Sequence, residues 1–195
     1  MTATLDLPIF PLGTVLFPAG RLPLRIFEPR YVNMTRACLR ENSVFGVALI
    51  RAGFEVGSPA IPNEIGCTAR IQEWSEPSPG LFTLMARGET RFRIRQRRTQ
   101  PDGLIRAGVE LIEPPDPLPL PDRHATLGRL LQRLIDDFGA QHFPQPFRLD
   151  DAAWVGHRLA ELLPVPPERK QKLLEILDPM SLLDELARLI RTMDS

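Results

Sequence analysis

Lysine is almost missing from this chain. Of its 24 basic residues only Lys170 and Lys172 are lysine, and the other 22 are arginine. No glycine precedes a lysine, which excludes the GxxxxGK(S/T) loop that cradles nucleotide phosphates. No GxSxG occurs, and both lysines sit in a predicted helix start away from any strand-borne serine, so neither a serine triad nor a Ser-Lys dyad is expected. Cysteine is equally scarce. Cys38 and Cys67 form no CxxC and no pairing pattern, which argues against a disulfide framework and for a reducing compartment. The three histidines, His124, His142 and His157, make no HExxH. His157 and Glu161 share a helix face at i, i+4 but lack a third ligand, so no metal and no cofactor is expected. No apolar run approaches the ~20 residues of a membrane span. The opening MTATLDLPIFPL has no basic flank before a long apolar run, so it does not read as a signal peptide. These absences together predict a cytoplasmic, non-enzymatic protein without a membrane partner.

Charge of one sign is also lacking, since the net charge is zero. Residues 1–113 carry 14 basic and 11 acidic groups and residues 114–195 carry 10 and 13, an asymmetry too small to name a partner. The arginine excess has two readings, coding bias in a GC-rich genome or a need for bidentate anion contacts.

What is present divides the chain. Up to residue 113, short runs rich in Val, Ile, Leu and Phe (TLDLPIF, VLF, RLPLRIF, VFGVALIR, IGCTARIQEW, LFTLMARG, TRFRIRQR, LIRAGVELIE) are punctuated by Gly, Pro and Asn. That pattern predicts an antiparallel sheet curled into a barrel. Residues 114–121, PPDPLPLP, hold five prolines in eight positions and form a linker, because proline has no N–H to extend a sheet or helix. From 122 to 195 the period becomes helical. Leu127, Leu130, Leu131, Leu134, Ile135 and Phe138 make one stripe, with Asp122 placed to cap it. A second helix is expected from Asp150 or Asp151, a third after Pro166-Pro167, and a fourth from the capping-box variant Ser181-x-x-Asp184.

Two stretches carry enough charge to bind something. In LRIFEPRY (Leu24 to Tyr31), Glu28 reads as a helix N-cap with Pro29 at the first helical position, and Phe27 and Val32 are spaced as a hydrophobic staple. Tyr31, Met34, Thr35, Cys38 and Leu39 are expected to face inward, and Arg30 outward with Asn33 and Arg36. Arg25, Glu28, Arg30 and Tyr31 are therefore a structural clamp or a contact for a peptide carboxylate or backbone. In TRFRIRQRR, Arg91, Arg93, Arg95 and Arg97 alternate with Phe92 and Ile94. They are expected on one strand face, as a solvated row, a contact for an acidic protein, or a strip that follows RNA phosphates.

Leu7 to Leu39, FGVALI (Phe45 to Ile50), IGCTARI (Ile65 to Ile71), ARGETRFRI (Ala86 to Ile94) and the helical RKQKLLEILDPMSLLDELARLI resemble the Lon substrate-binding domain. This is the N-terminal domain of the ATP-dependent Lon proteases, also known as free-standing bacterial proteins. Cys67 departs from the resemblance, at a position where threonine is expected. The resemblance implies an α+β fold, a PUA-like pseudo-β-barrel followed by a C-terminal α-helical bundle. It also implies recognition of unfolded or exposed polypeptide, or an adaptor role toward a protein partner, without ATPase or protease parts. The site would be a groove between the two regions or the surface around Arg25, Glu28, Arg30 and Tyr31. An RNA-binding module built on the arginine strand is the alternative.

Overall fold

The computed structural model describes residues 4–58 and 60–193. The chain divides into two compact units, Met1–Glu113 and Pro114–Ser195.

The first unit holds strands β1 (Thr4–Leu12), β2 (Arg21–Ile26), β3 (Phe45–Ala52), β4 (Ile61–Pro62), β5 (Ile65–Ser78), β6 (Leu81–Thr99) and β7 (Ile105–Leu111), with helix α1 (Pro29–Glu41) between β2 and β3. The strand order is β1-β7-β6-β5-β3-β4, and a parallel pairing of β1 with β3 closes the sheet on itself, with the short β4 attached to β3 beyond the closure. β6 organises it. Its first half pairs with β2 through Arg21↔Arg87 to Ile26↔Phe82, and its second half with β7. LFTLMARG and TRFRIRQR, expected as two strands, are thus one. Gly88 allows this, because a side chain there would meet the Phe17 carbonyl oxygen at 2.2 Å. Residues 15–17, expected as a strand, are buried but irregular: the Gly20 N–H turns back onto the Phe17 carbonyl.

Alternation sorts the side chains. Phe10, Leu12, Leu22, Ile26, Phe45, Val47, Phe82 and Leu84 meet Tyr31, Met34 and Cys38 of α1 in one core cluster. Leu7, Ile9, Phe92, Ala107 and Val109 form a second. Each fully buried large apolar side chain contributes roughly 1.5–3 kcal/mol, so burial in these clusters, and not a disulfide, holds the unit together. Both cysteines are buried, and neither forms a disulfide.

The second unit contains α2 (Ala125–Phe138), α3 (Ala152–Leu162), α4 (Pro167–Glu175) and α5 (Pro179–Met193). Leu127, Leu131 and Ile135 of the expected stripe are buried, and Phe138 is exposed. The helix starts differ from expectation in two places. Asp122 opens a short 3-10 turn and makes no side-chain cap, so α2 begins three residues later. α5 begins before Ser181: the Asp178 carboxylate accepts from the Ser181 N–H at 2.8 Å, and Asp184 bonds His124 Nε2 at 2.8 Å instead of closing a capping box. Asp151 does cap α3, accepting from the Trp154 N–H at 2.7 Å. Glu161 is engaged by buried Arg158 at 2.9 Å. Among the described residues no group of three His, Cys, Asp or Glu side chains is placed to hold a metal ion, and no helix is long and apolar enough to cross a membrane.

Candidate functional site

α1 starts where the octapeptide places it. Pro29 occupies the first helical position, and Glu28 is the cap residue with extended backbone. The Glu28 side chain makes no cap hydrogen bond. It turns to Arg30 instead, whose Nη2 donates to Oε2 at 2.9 Å.

Arg30 corrects the sequence reading most. It was expected to face out, yet it is 5% exposed. Its guanidinium also donates to the carbonyls of Gly57 at 2.8 Å and Gly103 at 3.2 Å, and lies 4.8 Å from the centre of the Tyr31 ring. One fork thus ties the start of α1 to two loops distant in sequence. A fork of five donors can serve three acceptors at once, as an ammonium on a flexible stem cannot. Tyr31 is buried beside it, with its ring 4.0 Å from that of Phe10. The expected staple partner Phe27 stays largely open to solvent, at 56% exposure.

Above this buried pair lies a cleft of about 190 Å³ lined by residues 23–28 together with Phe10, Leu12, Tyr31, Glu55 and Val56. It brings together Arg25, Glu28 and Tyr31 and leaves Arg30 beneath them. Its two carboxylates are already engaged, Glu28 by Arg30 and Glu55 by the Gly13 N–H. Arg25 is exposed and has no ion-pair partner among the described residues. The cleft therefore offers an apolar floor, a rim of exposed Phe27 and Val56, and one uncommitted cation. Such a site suits an apolar side chain carried by a backbone, and its described lining residues include no nucleophile with a base placed beside it. Sequence reading missed Glu55 and Val56. The apolar residues between the glycines of GFEVG, in a segment with no strand pattern, were the available signal.

Burial pushes the Tyr31 phenol up to about 12; the Arg30 cation opposes this, and Glu28 and Glu55 add to it. A phenol whose folded pKa is raised contributes stability that is complete below its unfolded value of 10.0 and is lost as pH rises toward 12. The gap of roughly two units corresponds to about 2.7 kcal/mol. Tyr31 is the only tyrosine, so phenolate absorbance titrates it alone. The expected native midpoint lies near 12, with alkaline unfolding that Tyr31→Phe moves to higher pH. A native midpoint near 10 would show a ring open to water.

The arginine strand is not one row. Arg91 is 4% exposed, inside the protein and not on its surface. A bulge between Ile94 and Gln96 inserts an extra residue in β6, with Arg95 at the bulge bonding Glu110 through Nε at 2.7 Å. Before the bulge Arg93 lies opposite Glu110; after it Arg97 lies opposite Ala107, which shares the buried face with Val109. One inserted residue reverses the alternation, so Arg93 and Arg97 occupy opposite faces.

Comparison with known proteins places this fold. Residues 6–192 match the family described as the ATP-dependent protease La (LON) substrate-binding domain. A Lon N-terminal domain protein from Xanthomonas campestris superposes with a TM-score of 0.80 at 36% identity, covering 94% of this chain and 98% of that one. The N-terminal domain of a Mycobacterium avium complex Lon protease shares the fold, with a TM-score of 0.62 at 16% identity over 93% of this chain and 95% of that one. Protein cereblon of Danio rerio is 32% identical over 120 residues, 58% of this chain and 27% of cereblon. The Lon protease of Anaeromyxobacter dehalogenans is 25% identical over 181 residues, 88% of this chain and 21% of the protease. The chain thus spans about a quarter of the length of these curated relatives. With nearly its whole length inside the match, the chain belongs to the Lon substrate-binding domain family.

Proposed function

We propose that this protein recognises polypeptide without cutting it, and that the cleft beside β2 is where an exposed or unfolded segment docks. The observation that carries this reading is an apolar cleft whose rim, Phe27 and Val56, stands open while its acidic groups are internally satisfied. Membership of a substrate-binding family supports it, as does the lack of GxxxxGK(S/T) and GxSxG motifs. The closed sheet goes with a PUA-like pseudo-barrel and the second unit with a helical bundle. Two buried cysteines that form no disulfide suit a reducing cytoplasm. An adaptor role, presenting the bound segment to a separate machine, is the form this recognition takes.

Fluorescence anisotropy with a fluorescein-labelled, permanently unfolded apolar polypeptide tests it. Arg25→Glu and Val56→Ser are each expected to weaken binding about tenfold, the loss of roughly one well-buried contact of 1.4 kcal/mol. Both side chains are exposed, so the thermal midpoint should stay within a degree or two of the parent protein. Unchanged affinity in both variants would remove the cleft from the interaction.

A further inference from the structure

The cleft borders the edge of β2 and not merely one of its faces. Residues 23, 24, 25 and 26 all line it, although successive strand side chains point to opposite faces. Leu22, Leu24 and Ile26 turn toward the core, while Arg21, Pro23 and Arg25 are exposed. A cavity that touches both sets must reach the strand's side.

Among the described residues that side is free: β2 pairs with β6 alone, and Leu22 to Ile26 make no other backbone hydrogen bond. The phase of the ladder shows which groups point out. The Gly88 N–H donates to the Gly20 carbonyl at 2.9 Å, so Gly20 faces β6, and by alternation Leu22, Leu24 and Ile26 do as well. Pro23 and Arg25 then present their carbonyls outward and Arg25 its N–H. Proline falls at an outward position, where its missing donor costs the sheet nothing.

We infer that the bound polypeptide docks as an added strand on this edge. Its backbone pairs with Pro23 and Arg25, one large apolar side chain enters the cleft, and a carboxylate-bearing residue beside it meets the free Arg25 guanidinium. This rests on the cleft being the polypeptide site, and it specifies the occupant: an extended apolar segment with a flanking acidic residue. Backbone pairing explains how such a site accepts many sequences, since main-chain groups supply affinity and the single pocket supplies preference.

The test uses a short fluorescein-labelled peptide alternating phenylalanine and leucine with aspartate, and versions N-methylated at single backbone amides. An added strand directs alternate amides at β2. Methylation in one phase is therefore expected to weaken binding about tenfold, while methylation in the other phase leaves it nearly unchanged. A probe that loses affinity with Val56→Ser yet tolerates methylation in both phases would overturn strand addition and leave the cleft reading standing. A probe whose binding ignores Val56→Ser and Arg25→Glu would overturn both.

Discussion

Replacing Arg30 by methionine is expected to lower the thermal midpoint by about 10 °C, whereas Arg25→Ala leaves it unchanged. The two arginines stand five residues apart in one octapeptide and have opposite roles. Arg30 is buried and donates to Glu28, Gly57 and Gly103. Methionine fills most of its volume but supplies no donor. The Gly57 and Gly103 carbonyls each lose a bond, and the Glu28 carboxylate, 18% exposed, loses its counter-charge. Removing one member of a buried pair costs 3–5 kcal/mol when the other charge stays dry. Partial rehydration of Glu28 brings the expectation to about 3 kcal/mol. Arg30→Lys should recover only part of this, since its ammonium cannot reach three acceptors in one plane. Differential scanning fluorimetry of the three variants decides the matter. Equal midpoints for Arg30→Met and Arg25→Ala would mean that the buried fork does not hold α1 to its loops.

Gly66→Ala should be comparably damaging for a different reason. A Cβ at Gly66 would sit 2.3 Å from the Val47 carbonyl oxygen and 2.6 Å from Phe92 Cζ. Neither neighbour can yield easily. Val47 lies in β3 where it pairs with β5, opposite Cys67, and Phe92 is fully buried. The strands must separate locally, which strains the pairing that helps to close the sheet. We expect a loss of roughly 3 kcal/mol or more, at the upper end of overpacking costs. Gly80→Ala offers the contrast. Nothing lies near its absent side chain, and its cost is only the positive φ of 78°, roughly 1 kcal/mol. Chemical denaturation of both variants should therefore rank Gly66→Ala well below Gly80→Ala. The reverse order would mean that β3 and β5 have slack the geometry does not show.

Much of the fold was legible because its signals are local. Pro29 after Glu28 marked the start of α1, since a missing N–H is harmless only in the first turn. Asp151 marked α3 by the same kind of chemistry. Errors arose where a distant residue intervened. Arg30 looked like a surface residue because helical spacing cannot show that the Gly57 and Gly103 loops close over it. Arg91 to Arg97 looked like one row because strict alternation has no term for an inserted residue, and the bulge opposite Val109 and Gly108 is set by pairing with β7.

By itself, then, the sequence determined the element types, the change from strand to helix after the prolines, the resemblance to a substrate-binding family and the absence of catalytic motifs. Those follow from periodicity, caps and residue identity within a few positions of one another. Only the tertiary structure decided which arginine is a strut and which is available, where Glu55 and Val56 complete a cleft, and that the outer edge of β2 has no partner among the described residues. Each of these depends on segments separated by tens of residues meeting in space, and burial and hydrogen bonding act on what meets there, whatever the spacing along the chain.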